Sequence, residues 1–281
     1  MGTYFVKGDQ EMAEGAQEQK QKTKKGGGKR ICLLDELRGF AVFCMVFYHA
    51  FYTIGMLFGW KWGTDLMGFF SPAEPFFAGL FIFISGICSN LSHSNIDRGA
   101  KLFFIAFMVT VVTYFTVGSE NAIRFGILHM LSICMMFYGV CAPLLKYIPL
   151  WIGFALTAVL FVMTHSIPSG SIGIPFVFSV NLPSELYKTD FLYPLGFMHA
   201  GFTSSDYFPL LPWLFLFLSG TFFGRLASAK KFPKFSYKKH VPFFAFLGRH
   251  ALIIYLAHQP LIFGICIGVR EIINLITRQG G

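Results

Sequence analysis

Residues 34–49 read LDELRGFAVFCMVFYH: a short charged segment, then nine residues that are apolar apart from the hydroxyl of Tyr48, then His49. His49 comes eleven positions after Arg38. Eleven residues of α-helix make three full turns to within about 20°, so the two side chains share one helix face about 16 Å apart along the axis. An ionisable group inside a membrane span is costly and is usually retained for a function. This segment therefore predicts a membrane helix that carries chemistry.

The composition of the whole chain also favours a membrane protein. Of its 281 residues 54% are hydrophobic and only 13% are charged, whereas soluble domains carry about 25% charged residues. Several apolar runs reach the ~20 residues that cross a bilayer. We expect an all-α polytopic membrane helical bundle of about seven transmembrane helices. The predicted spans are 36–59, 75–92, 101–118, 125–145, 147–165, 207–227 and 249–270.

Basic residues predict the orientation. We interpret residues 1–30 as a disordered, basic cytoplasmic tail and 31–275 as the transmembrane domain. With the N-terminus in the cytoplasm, the cytoplasmic pieces contain 8, 2, 1 and 7 Lys and Arg residues, or 18 of the 23, which satisfies the positive-inside rule. The net charge of +9 thus reflects topology and does not indicate nucleic-acid binding.

Two long connections have distinct compositions. The predicted cytoplasmic loop 225–249 contains seven basic residues and no acid, so it is expected to attract anionic lipid headgroups or a phosphate-bearing cofactor. The predicted extracytoplasmic loop 166–206 has no evident secondary structure. A loop of this length usually serves as a lid or a binding surface.

Two more histidines lie in predicted spans. His129 is near the start of the fourth span, and His258 lies in the seventh, two residues before Pro260. A neutral imidazole is the natural general base for an amine or hydroxyl nucleophile. The alternative for each is a hydrogen-bonded histidine of the bundle interior. The six cysteines include no CxxC pair, so neither a disulfide framework nor a metal site is predicted.

Five segments, taken in order, resemble the bacterial relatives of the heparan-α-glucosaminide N-acetyltransferase family. The resemblance extends from about residue 31 to 270, and the Arg-x10-His pattern also resembles membrane acyltransferases that O-acetylate surface polysaccharides. The segments are LDELRGFAV…YH (34–49), FISG (83–86), FGILH (125–129), FPLLPW…GR (208–225) and LGRHAL…HQP (247–260).

The resemblance implies a multi-pass protein of the cell membrane, in a bacterium the plasma membrane. It implies transfer of an acetyl group from cytoplasmic acetyl-CoA to an amino sugar or glycan acceptor on the other side. His49 matches the histidine of the acyl-transfer centre, and Arg38 the arginine near the donor entrance. The candidate catalytic residues are His49, Asp35, His129 and His258. The candidate acetyl-CoA-binding residues are Arg38, Arg249, His250 and Asn90.

Two other functions stay open at the level of sequence. One is a proton-coupled transporter that uses His49, His129 and His258 as a relay. The other is a non-catalytic membrane subunit that binds lipid or a partner. Five further points stay open: the acceptor, N- or O-acetylation, the acyl chain, direct transfer or an acetyl-histidine intermediate, and a homodimer.

Overall fold

The computed structural model describes residues 30–279, which fold as a bundle of α-helices with a short β-hairpin. The predicted tail 1–30 thus lies, apart from Arg30, outside the described residues. The helices are α1 Cys32–Tyr52, α2 Lys61–Phe70, α3 Glu74–Ser89, α4 Asn95–Val117, α5 Ile127–Leu145, α6 Leu150–Thr164, α7 Leu210–Ser228, α8 Pro242–Arg249 and α9 Ala251–Gln279. The strands are β1 Ser171–Ile174 and β2 Phe178–Asn181.

Seven helical segments of the described chain are long and apolar enough to cross a membrane. The first is α1 with a π-helical turn at Thr53–Leu57. The second combines α2 and α3, and the others are α4, α5, α6, α7 and α9. The prediction of an all-α, seven-span membrane bundle is confirmed.

Several predicted boundaries were wrong. The third span begins at Asn95 instead of 101, and the last continues to Gln279 instead of 270. Hydropathy reports only the apolar centre of a span, whereas backbone hydrogen bonds propagate a helix into the polar flanks. Helices α2 and α8 lie in predicted connections, because both are too short to give a span-length apolar signal.

The connection 166–206 also contains regular structure. Strands β1 and β2 pair in antiparallel register, with Ser171 opposite Asn181 and Ile174 opposite Phe178. Three short 3₁₀ turns complete the segment. The expectation of a loop without secondary structure is therefore corrected. The strands SIGI and FSVN do alternate in polarity, but four residues are the shortest run in which alternation indicates a strand.

Polar contacts tie the helices together at both ends of the bundle. We call the end at which α1 begins the N-proximal end, and the opposite one the distal end. At the N-proximal end Arg225 donates from Nη1 to the Ile148 carbonyl and from Nη2 to the Leu145 carbonyl, each at 2.7 Å. At the distal end the Ser205 hydroxyl donates to the Asn121 carbonyl at 2.7 Å.

Helix α8 crosses α1 at two glycines. A Cβ atom on Gly39 would lie 1.9 Å from the carbonyl oxygen of Phe244, and one on Gly248 would lie 1.8 Å from that of Asp35. The two backbones thus touch, as small residues permit between membrane helices. This crossing fixes the beginning of α1, and with it Arg38, against the start of α9.

Candidate active site

A cavity of about 180 Å³ lies within the bundle. It is enclosed by α1, α3, the start of α5, residues 205–208 and α9. On α1 it is bordered by Val42, Met45 and His49, the helix face that the spacing from Arg38 predicts. The polar residues that line it are Tyr48, His49, Glu74, Ser205, Asp206, Tyr207 and Tyr255.

His49 lies beside His258. The two ring centroids are 5.2 Å apart, and the rings are inclined at 53°. Helices α1 and α9 run together here, because the Thr53 hydroxyl donates to Gln259 Oε1 at 3.0 Å. Two histidines that are 209 positions apart in the chain thus form one imidazole pair, of which His49 lines the cavity.

One nitrogen of His258 is fixed and the other is free. Nδ1 lies 2.5 Å from the carbonyl oxygen of Tyr255, and since a carbonyl only accepts, Nδ1 carries the proton. In the neutral ring Nε2 is then the acceptor. Nε2 is buried and has no hydrogen-bond partner among the described residues, an arrangement that costs about 1–3 kcal/mol. His258 therefore presents an unused acceptor next to His49.

Asp206 enters the site from the distal segment before α7. Its Oδ2 accepts from the Tyr255 hydroxyl at 2.8 Å and from the N–H of Ile127, the first residue of α5, at 3.1 Å. A carboxylate at a helix N-terminus is stabilised by the helix dipole. Gly126 makes the approach possible, because a Cβ there would lie 2.2 Å from Oδ2.

The environment of Asp206 shifts the pKa of its carboxyl group. The residue is only 5% exposed, and burial raises the pKa of Asp206, while the hydrogen bonds from Tyr255 and Ile127 act in the opposite direction. A connected series results: Asp206 holds the Tyr255 hydroxyl, and the Tyr255 carbonyl holds His258 beside His49.

Sequence reasoning did not select Asp206, Tyr255 or Glu74 as site residues. The available signals were an acid directly before an apolar span, a tyrosine three positions before His258, and an acid at the start of another span. None of them has a recognisable spacing. They meet because three segments distant in sequence converge on one cavity.

His129 has a different environment. Its Nδ1 accepts the N–H of Gly126 at 3.3 Å, and its Nε2 lies 3.3 Å from the Thr110 hydroxyl. Because that hydroxyl donates to the Ile123 carbonyl at 2.6 Å, it accepts from Nε2–H. Both ring nitrogens of His129 are thus engaged in holding the start of α5, and His129 is not among the residues that line the cavity.

Asp35 lies with Arg38 at the N-proximal end. Asp35 Oδ2 is 2.6 Å from Arg30 Nε, and Asp35 Oδ1 is 3.9 Å from Arg38 Nη1. Arg38 Nη2 also donates to Cys88 Sγ at 2.7 Å. Since Asp35 precedes His49 by fourteen residues of helix, about 21 Å separates them along the axis. The structure thus groups Asp35 with the arginines and not with His49.

Asn90 also lies at the N-proximal end, at the C-terminus of α3. Its Nδ2 donates to the Thr221 carbonyl at 2.6 Å, and its Oδ1 accepts from the Tyr138 hydroxyl at 3.0 Å. The side chain therefore joins three helices. It also borders a separate polar cavity that includes Ser92 and His93.

Arg249 and His250 lie at the junction of α8 and α9. Both are exposed, and each side chain bonds to a carbonyl one turn earlier: Arg249 Nε to Ala245 at 3.0 Å and His250 Nδ1 to Phe246 at 2.9 Å. The connection before α8 adds exposed cations to this end of the bundle. They are Lys230, Lys231, Lys234, Lys238 and Lys239.

The fold and the site define a multi-pass membrane protein with a histidine pair at a cavity inside the bundle. The sequence model of the family described as "Heparan-alpha-glucosaminide N-acetyltransferase, catalytic" matches residues 30–260. The chain belongs to this family, which confirms the resemblance seen in the sequence and indicates a membrane acetyltransferase. No curated protein and no solved structure matches the chain.

Proposed function

We propose that the protein transfers the acetyl group of acetyl-CoA to the amine of an amino sugar, with His49 as the general base. The observation that carries this proposal is the cavity that His49 borders together with Asp206 and Tyr255, with His258 beside it. Family membership supports the acetyl transfer. We further propose which donor and acceptor are used, from which end of the bundle each arrives, and which residues act on them.

Acetyl-CoA is proposed to arrive from the N-proximal end, which faces the cytoplasm. The charge distribution supports this, because this end carries Arg38, Arg249 and the exposed lysines of residues 230–239. Such cations attract the phosphates of coenzyme A. The cavity follows α1 from Ala41 to His49, and about 16 Å of helix separates Arg38 from His49. An extended pantetheine arm can cover a distance of that order.

The acceptor is proposed to enter from the distal end. Residues 205–208 form the cavity wall on that side, and two carboxyl groups, of Glu74 and Asp206, line it. Carboxylates in a poorly solvated cavity favour a cationic group. This supports an amine over a neutral hydroxyl as the nucleophile, and therefore N-acetylation.

The proposed step is a direct transfer. The acceptor binds as an ammonium ion and first gives one proton to a carboxylate of the cavity, which later releases that proton to water. The neutral amine nitrogen then attacks the thioester carbonyl as His49 removes a second proton, and the carbon–sulfur bond breaks to release the thiolate of coenzyme A. His258 Nε2 is the free acceptor next to His49 and shares the proton that His49 takes. The proton then leaves to the thiolate, so the products are the N-acetyl sugar and coenzyme A.

The test uses the purified protein with acetyl-labelled acetyl-CoA and two acceptors, glucosamine and glucose. We expect label in N-acetylglucosamine and little in an ester of glucose. Since a general base typically contributes 10²- to 10⁴-fold, His49→Ala is expected to lower the rate at least about 100-fold.

His165→Ala is the matched control, because His165 is exposed at the end of α6 and is expected to retain the wild-type rate. No transfer to any acceptor would contradict the enzyme proposal. Transfer that His49→Ala leaves unchanged would contradict the assigned role of His49.

A further inference from the structure

The β-hairpin at the distal end exposes an unusual amount of apolar surface. Phe176 at its tip is fully exposed, Val177 is 74% exposed, and Phe178 and Val180 are exposed as well. In a soluble protein such a patch marks an interaction site.

The segment that contains the hairpin is uncharged. Residues 166–184 contain no charged side chain, whereas Glu185, Lys188 and Asp190 follow directly afterwards. Glu185 and Lys188 form an exposed ion pair of 3.6 Å. The chain thus changes at residue 185 from an uncharged hairpin to a charged surface, as it does where a chain leaves a membrane interface for water.

The preceding helix places the hairpin at the edge of the bilayer. Helix α6 has fifteen residues, which gives about 22 Å, whereas the hydrocarbon core is about 30 Å thick. The 3₁₀ turn Ile167–Ser169 extends the apolar segment, and strand β1 packs against both that turn and α6. The hairpin therefore begins where the hydrocarbon core ends.

The hairpin adjoins α6, because strand β1 packs against that helix. Ile152, Leu156 and Val159 are exposed at helical spacing along that helix, which makes them part of the lipid-facing side of a membrane span. The two strands pair over four residues each, so the backbone groups that face the partner strand are hydrogen-bonded. This reduces the cost of placing the hairpin at the polar–apolar boundary.

From the exposed apolar tip, the uncharged segment and the contact with α6 we infer that the β-hairpin 171–181 lies in the interfacial layer of the bilayer, with Phe176 and Val177 among the lipid chains. Because the segment is uncharged, the interaction is with the acyl chains and the glycerol region and needs no particular headgroup charge. The hairpin thus anchors the distal segment, which also supplies Asp206 to the cavity, at the membrane surface.

Photo-crosslinking tests the inference. The photoreactive p-benzoylphenylalanine replaces Phe176 in the full chain, which is reconstituted in bilayers of labelled phosphatidylcholine and irradiated. Phe115, which is 80% exposed on the span α4, is the positive site. Phe191, which is 73% exposed next to the charged Asp190, is the water-facing site.

We expect labelled lipid at position 176 at a level similar to that at position 115 and at least about fivefold above that at position 191. If position 115 is labelled while position 176 crosslinks only to a second copy of the chain, the inference is overturned in favour of a protein contact. If position 176 gives no more lipid adduct than position 191, the hairpin lies in water and the inference is likewise overturned.

Discussion

Removal of one hydroxyl tests the connection between Asp206 and the histidine pair. In Tyr255→Phe the ring that lies beside His258 is kept, with centroids 5.5 Å apart in the native protein. Only the hydrogen bond to Asp206, 2.8 Å long, is lost. Asp206 retains the N–H of Ile127 as a donor. The substitution therefore removes the hydrogen bond between Tyr255 and Asp206 and leaves the other side chains of the site in place.

The size of the effect follows from that single bond. A hydrogen bond to a charged group is worth about 1.5–3 kcal/mol. If about 2 kcal/mol of this acts on the positioning of the site in the transition state, the rate falls about 30-fold, since each 1.36 kcal/mol is a factor of ten. The substitution is also expected to shift the pH dependence of the rate in one direction. Loss of a donor to the carboxylate raises the pKa of Asp206 further, so the acid limb of the rate profile moves to higher pH.

The assay is acetyl transfer by the purified protein as a function of pH, with elution volume as the check on folding. Tyr187→Phe is the matched control, because the Tyr187 hydroxyl donates to the Ile167 carbonyl at 2.5 Å in the distal segment and Tyr187 is not among the residues that line the cavity. A folded Tyr255→Phe variant with a rate within twofold of wild type and an unshifted acid limb would show that the hydrogen bond to Asp206 does not position the site.

Gly248→Ala places a Cβ atom 1.8 Å from the Asp35 carbonyl and should destabilise the α1–α8 crossing by about 3 kcal/mol. We expect a lower thermal unfolding midpoint in detergent. Gly264→Ala, where no atom lies within 4 Å of the new Cβ, should leave the midpoint unchanged or raise it, and equal midpoints for the two variants would contradict the close crossing. The double substitution Lys234→Glu with Lys239→Glu should raise the KM for acetyl-CoA several-fold at low salt, with a weaker effect at high salt; an unchanged KM would exclude these exposed lysines from donor binding.

The fold was predictable because every membrane span must meet the same requirement of composition. Every span must be apolar for about 20 residues, so local composition alone reveals the seven segments. Helix α8 and the β-hairpin do not give an apolar run of this length, because the helix has eight residues and each strand has four. Their positions depend on contacts with α1 and α6 that a local pattern does not contain.

The site was predictable only in part. His49 stood out because a polar group in an apolar run is conspicuous, and the helix period placed Val42 and Met45 on its face, which does border the cavity. The pairing of His49 with His258 and the position of Asp206 at the cavity are features of the tertiary structure. They depend on which helices are neighbours and on a distal segment that reaches the N-terminus of α5.

In the proposed function the donor and the acceptor reach His49 from opposite ends of the bundle. The most direct test is acetyl transfer across a sealed bilayer, with the protein inserted in one known orientation in liposomes. Labelled acetyl-CoA is supplied on the side of the N-proximal end, and glucosamine on the other side. We predict labelled N-acetylglucosamine on the acceptor side and none when the two compartments are exchanged. Product that forms only when both substrates share one compartment would contradict the account.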